Sequence, residues 1–287
     1  MKVQVIQIPY DSGNRSLRMG GGPEHFVGNG LAEVLQADGH EVWIESVEAQ
    51  AEFRAEIRTQ FELYGLLAGR VRMARREEKF PLVLSGNCGA TLGAIAGAEN
   101  VRLGVIWFDA HGDFNTPETT TGGFLDGMGL AIAAGLCWKS LAASIPNFRP
   151  VNGANILHVG GRDFDAGERE TLEQAGATVV AAAAFEQESV RDVLTPVMSK
   201  FQRGVEEVHL HVDLDVLNPQ EFPANEYAAQ EGGLGAEQIV EAVGFIKENL
   251  KITSATIAAF DPKYDSEGKT LRAGMKLMSK IINGVAK

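Results

Sequence analysis

The chain has 287 residues, 45% of them hydrophobic and 22% charged, with 33 glycines and 10 prolines. That apolar fraction excludes an intrinsically disordered chain, and the absence of low-complexity bias excludes a fibrous one. Against 26 Lys and Arg stand 38 Asp and Glu, a net charge of −12. This argues against nucleic acid or an anionic membrane as partner and is compatible with a small cationic substrate.

A chain of this length buries roughly 75% of its unfolded surface and needs no covalent staples. Its two cysteines, Cys88 and Cys137, make no disulfide framework. The opening MKVQVIQIPYDSG lacks the apolar stretch of a secretion signal, and no run reaches the roughly 18 apolar residues of a membrane span. A cytoplasmic protein is expected.

In chain order, short β-branched runs predict strands at residues 2–8, 41–45, 81–85, 103–108, 155–159, 177–180, 207–212 and 253–259. Helical spacing between them predicts helices at 24–37, closed by Gly39, and at 52–76, 190–201, 237–250 and 271–282. Such alternation predicts an α/β fold, a predominantly parallel sheet with helices on both faces. No repeat, linker or composition break divides the chain, so a single domain over 1–287 is expected. Two loops, 110–125 and 217–233, are longer than a tight connection requires. Both leave the carboxyl ends of strands, where open α/β sheets bind ligands.

The first of these loops opens VIWFDAHGDFNTPETTTGGFLDG at Val105. Asp109, His111 and Asp113 follow a buried strand at i, i+2 and i+4, and share one face if extended geometry persists. Burying carboxylates and an imidazole together is costly without a counter-charge, which a divalent cation supplies. The second loop follows VHLHVDLDVLNP, in which Val208, Leu210 and Val212 face one way and His209, His211, Asp213 and Asp215 the other. Two strands ending in Asp/His clusters predict a shared metal site. Carboxylate and imidazole donors suit manganese, and two ions about 4 Å apart would share Asp109 and Asp213. His209 and His211 sit earlier on the strand and are expected to be core or supporting histidines; His25, His40 and His158 are expected to be structural.

At these residues the sequence resembles the ureohydrolase superfamily of arginases, agmatinases and formimidoylglutamases. DAHGDFNTPETTTGGFLDG is similar to the arginase stretch D-A-H-x-D-x-N-T-P-x-T-T-T-x-G-x-L-x-G, and DLDVLNP to D-x-D-x-x-D-P. GRDFDAGE at 161–168, DPKYD at 261–265 and the glycine-rich turn at 20–23 also have counterparts there, in the same order. The resemblance implies an eight-stranded parallel sheet and a homo-oligomer. It implies one manganese ion held by Cys88, Asp109, Asp113 and Asp213, and a second held by Asp109, His111, Asp213 and Asp215. It further implies that Asn115, Asp165 and Glu168 hold the α-carboxylate and α-amino groups of an amino-acid substrate. Asp113 is implied as the proton donor to the leaving amine after hydroxide attacks the guanidino or amidino carbon.

Three positions depart from the pattern. Cys88, in Ser85-Gly86-Asn87-Cys88-Gly89, replaces a metal-binding histidine, as in a branch that resembles the Nω-hydroxy-arginine amidinohydrolases. A weak or empty manganese site is expected beside it. Asp126 replaces a proton-shuttling histidine and reads either as a relay of raised pKa or as a cap for the following helix. Ala259 stands where the family grips the guanidinium with a glutamate. The expected activity is therefore manganese-dependent hydrolysis of arginine or a derivative such as Nω-hydroxy-arginine. The competing expectations are a metal-containing binding relative without urea-forming activity and a hydrolase of a formimino or other amidine substrate.

Overall fold

The computed structural model describes residues 1–100, 102–227 and 231–283. Eight strands form one sheet: β1 Lys2–Ile8, β2 Glu41–Ser46, β3 Phe80–Ser85, β4 Leu103–Phe108, β5 Ile156–Gly161, β6 Thr178–Ala181, β7 Glu207–Asp213 and β8 Ile252–Ala258. Their spatial order is β2-β1-β3-β8-β7-β4-β5-β6, with every neighbouring pair parallel. The carboxyl ends therefore all lie along one edge. The chain builds β1 to β3 on one side and β4 to β6 on the other, then fills the gap with β8 and β7. That late insertion sets β7 against β4, with Phe108 level with Val212, so that Asp109 and Asp213 leave adjacent strands.

Both faces are covered, which explains the nearly continuous apolar strands. Ile106, Phe108, Leu210 and Val212 point into a core shared with α1 Gly22–Gly28, α2 Leu31–Ala37, α7 Val190–Phe201, α8 Ala236–Asn249 and α9 Lys269–Ile282. Val105 and Trp107 point to the other face, beneath α3 Glu56–Arg76, α4 Thr91–Ala98 and α5 Gly129–Ala133. Among the described residues no helix is long and apolar enough to cross a membrane.

The eight expected strands are all present, with ends shifted by one or two residues, as at Thr178–Ala181 and Ile252–Ala258. The helix expected over 24–37 is two helices. Gly30 adopts φ +92° between them, a left-handed conformation that breaks the helix after Asn29. The long helix begins at Glu56 rather than 52. α4 and α6 Glu168–Gln174 have no counterpart in the expected set. α4 reads TLGAIAGA and is buried throughout, so it carries no amphipathic period to detect.

Candidate active site

The expected loops both border one cavity of about 570 Å³ at the carboxyl edge. Residues 228–230 of the second loop lie outside the described residues. Cys88, His111, Asp113, Asn115, Asp126, Asp165, Glu168, Asp213 and Asp215 all line it. Asp109 lies behind them, 1% exposed.

The Asp-x-His and Asp-x-Asp spacings are turns rather than strand alternation. Asp109 Oδ1 accepts the backbone N–H of His111, and Asp213 Oδ1 accepts that of Asp215, each at 2.7 Å. A short carboxylate accepting from the residue two ahead closes such a turn in place of a backbone carbonyl. Extended geometry does not persist to Asp113, which turns left-handed at φ +49°. Its carbonyl there accepts the N–H groups of Leu130 and Ala131 in α5, and the loop is tied to that helix. The shared face expected for Asp109, His111 and Asp113 is thus replaced by one such turn followed by a left-handed residue, which bring His111 and Asp113 to one cavity with Asp109 behind them.

Donor atoms of Asp109, His111 and Asp215 lie within 4.8 Å of one another, as do those of Cys88, Asp109 and His211. His111 Nδ1 is 3.2 Å from Asp215 Oδ2 and 3.5 Å from Asp109 Oδ1. Cys88 Sγ donates to Asp213 Oδ2 at 3.0 Å. Burial opposes a charge on His111, but the carboxylates of Asp215 and Asp109 outweigh it and raise its pKa. Burial, reinforced by neighbouring carboxylates, pushes Asp113 and Asp213 well above the usual carboxylate range. Asp113 Oδ2 is buried with no hydrogen-bond partner. A cluster of buried carboxylates, one with an unpartnered oxygen, fits a divalent cation.

Several supporting residues carry no signal in spacing alone. The indole of Trp107 donates to Asp109 Oδ2 at 2.9 Å. The Arg162 guanidinium donates to the carbonyls of Asp215, Val216 and Leu217 at 2.8–3.2 Å and fixes the turn that presents Asp215. His158, one of the expected structural histidines, bonds the His111 carbonyl at 2.6 Å. His209 lies between Ser254 and Thr256, a satisfied core histidine as expected. His211 is placed differently: its ring reaches Cys88 and Asp109 and stacks on Trp107.

Asp126 does not cap the helix that follows it. Its carboxylate accepts from Asn87 Nδ2, Cys88 N and Gly89 N at 2.8–3.1 Å, across the sequence rather than along it. Burial pushes its pKa up to about 7 against those donors. At the rim, Glu168 accepts from Phe114 N and Asp165 N, and Asn115 Nδ2 donates to Asp165 Oδ2. Gly112 packs beneath Glu168: a Cβ there would stand 2.6 Å from its carboxyl carbon and would displace that side chain. Ala259, at φ +62°, borders the cavity, and its carbonyl accepts from Asn225 Nδ2 at 2.8 Å.

The arginase family model matches residues 1–283. The arginase of Bacillus subtilis (strain 168) is 30% identical over 292 aligned positions, covering 98% of this chain and 97% of that one. That of Brevibacillus brevis is 33% identical over 212 positions, 71% of this chain and 68% of the other. The solved structure of the Bacillus caldovelox arginase superposes with a TM-score of 0.90 at 26% identity, covering 100% and 99% of the two chains. With a family match along nearly its whole length and the same eight-stranded sheet, this protein is a member of the arginase family of hydrolases.

Proposed function

We propose that the protein is a manganese-dependent amidinohydrolase that cleaves the guanidino C–N bond of an arginine-like amino acid, with Nω-hydroxy-arginine favoured over agmatine. The observation that carries this reading is one cavity in which the Asp109–His111 and Asp213–Asp215 turns meet Asn115, Asp165 and Glu168, with Ala259 on the same lining. Asp109, His111, Asp213 and Asp215, with Asp113 and Cys88 toward the other side, would hold the ions. A pair of divalent cations, when bound, supplies hydroxide near neutral pH by lowering the pKa of water.

The remaining chemistry falls to side chains. Asn115, Asp165 and Glu168 bind the α-amino and α-carboxylate end and orient the guanidino carbon toward the carboxylates. Asp113, whose Oδ2 is buried without a hydrogen-bond partner, takes up the proton of the oxygen that adds to the guanidino carbon and delivers it to the leaving amine. Asp126 has three N–H donors on its two oxygens, and we assign it to holding the Cys88 turn rather than to relaying protons. At Ala259 the substrate meets a methyl group, so a guanidine of lower pKa, as hydroxylation produces, loses least from the missing counter-charge.

Steady-state kinetics of the manganese-loaded protein on arginine, Nω-hydroxy-arginine, agmatine and formiminoglutamate test the proposal. The expected order places Nω-hydroxy-arginine first in kcat/KM. Agmatine as best substrate would overturn the amino-acid reading of Asp165 and Glu168. Formiminoglutamate as best substrate would mark a formimino hydrolase. Turnover of none at any manganese loading would favour a binding relative.

A further inference from the structure

We propose that the position beside Cys88 is a thiolate–imidazole–carboxylate site built for a softer ion such as zinc, with His211 as a ligand, so that the protein carries two chemically different ions. The inference rests on the metal-dependent reading above, with which it shares Asp109.

Three observations carry it. Donor atoms of Cys88, Asp109 and His211 lie within 4.8 Å of one another. A tetrahedral zinc ion holds such donors roughly 3.3–3.8 Å apart, so a contraction of at most about 1.5 Å closes the site. The His211 ring is fully buried, and its Nε2 has no hydrogen-bond partner. An unpartnered buried nitrogen is costly, and a cation removes that cost. The other ring nitrogen, Nδ1, is engaged by Thr91 Oγ1 at 2.8 Å. With Nδ1–H donating to that hydroxyl, Nε2 presents a bare lone pair, the arrangement by which metal-binding histidines are oriented.

The surroundings fix the donors in place. The His211 ring stacks on Trp107 with centroids 3.7 Å apart, while the Trp107 indole holds Asp109. Asp126 holds the Cys88 turn from behind. Asp213 Oδ2, 3.0 Å from Cys88 Sγ, is a fourth donor. Ligation replaces the thiol hydrogen bond and releases the Cys88 proton to solvent. Thiolate and imidazole rank zinc above manganese, whereas Asp109, His111 and Asp215 offer mainly the oxygen donors that manganese accepts. The residue that weakens manganese binding on one side therefore selects a different ion there.

The test uses the full chain, stripped of metal and reloaded with equimolar zinc and manganese. Elemental analysis should find one zinc per chain, and X-ray absorption at the zinc edge should show a sulfur neighbour at about 2.3 Å and nitrogen or oxygen at about 2.0 Å. Cobalt(II) in place of zinc should give a thiolate charge-transfer band. Cys88→Ser should abolish that band, and His211→Gln should weaken zinc binding at least tenfold while the band persists. Thr91→Ala, which only frees the ring, should weaken zinc less and serves if His211→Gln fails to fold. Asp215→Asn should lose manganese and keep zinc. Zinc without a sulfur neighbour, or zinc affinity indifferent to both His211→Gln and Thr91→Ala, would overturn the assignment. In those cases manganese binding and guanidino hydrolysis would still stand if present; a chain that bound neither ion would sink both readings.

Discussion

Asp109 and Asp213 close the same turn at the ends of adjacent strands, each accepting the N–H two residues ahead at 2.7 Å. Each is therefore both a turn-former and a candidate ligand, and two substitutions separate the roles. Asp213→Asn keeps an acceptor for Asp215 N but removes a charge that burial and the neighbouring carboxylates already disfavour. The metal-free variant should melt at or above the temperature of the parent, while the stabilisation on adding manganese and all hydrolysis disappear. Asp213→Ala should lose both, and should also melt lower by the worth of a buried hydrogen bond, about 1 kcal/mol. Full manganese occupancy in Asp213→Ala, by metal analysis, would remove this residue from the ligand set.

Asp126 makes an opposite prediction to that of a relay. Asp126→Ala leaves the N–H groups of Cys88 and Gly89 buried without their acceptor, at about 1–3 kcal/mol each, and should lower stability and activity together. Asp126→Asn keeps oxygen acceptance on one side and should retain most of kcat with an unaltered pH profile. Loss of one limb of the kcat/KM profile in Asp126→Asn, at unchanged metal content, would restore the proton relay.

The strands and the two acidic clusters were legible because the strands are short runs rich in β-branched and apolar residues, and each cluster follows one directly. The turns behind the spacing were not: Asp-x-His satisfies strand alternation and an Asx turn equally well, and only the register decides. His211 is placed by strand alternation on the same face as Asp213, which does not distinguish a ligand from a supporting residue. Its distinguishing contacts, Cys88 and Thr91, come from a segment more than a hundred residues away in sequence. Arg162 and Asp126 act through backbone groups of distant loops, which leave no mark on local composition.

Glu207 ties β7 to the end of α3. Burial opposes its ionisation, but hydrogen bonds from Lys251, Arg75 and Asn100 outweigh it and lower its pKa from 4.5 to about 2. A folded-state pKa below the unfolded value means that this stabilisation is complete above about pH 4.5. It is lost as the pH falls toward 2, where the carboxyl protonates in the native state too. After allowing for solvent screening it amounts to about 1–2 kcal/mol. Chemical denaturation of Glu207→Gln between pH 6 and 2.5 should show a shallower acid decline than the parent. Parallel declines would mean that the pair contributes no net stability.

Ala259 offers a gain-of-function test of substrate choice. Ala259 borders the cavity and its carbonyl is held by Asn225, so a longer side chain is placed to compete for or complement the substrate there. A glutamate there brings a buried carboxylate whose cost is offset only by a cationic partner. Arginine supplies a full guanidinium charge. The less basic Nω-hydroxy-arginine supplies less of one at neutral pH. Ala259→Glu should therefore raise kcat/KM for arginine relative to Nω-hydroxy-arginine by about tenfold or more, equivalent to roughly 1.4 kcal/mol of differential binding in the transition state. Because φ at this residue is left-handed, the variant is strained no more than Ala259 itself, and a thermal melt should confirm the fold before kinetics are compared. An unchanged ratio of the two kcat/KM values in a folded, metal-loaded Ala259→Glu protein would show that the guanidino group binds elsewhere in the cavity, and the preference for a hydroxylated substrate would lose its structural basis.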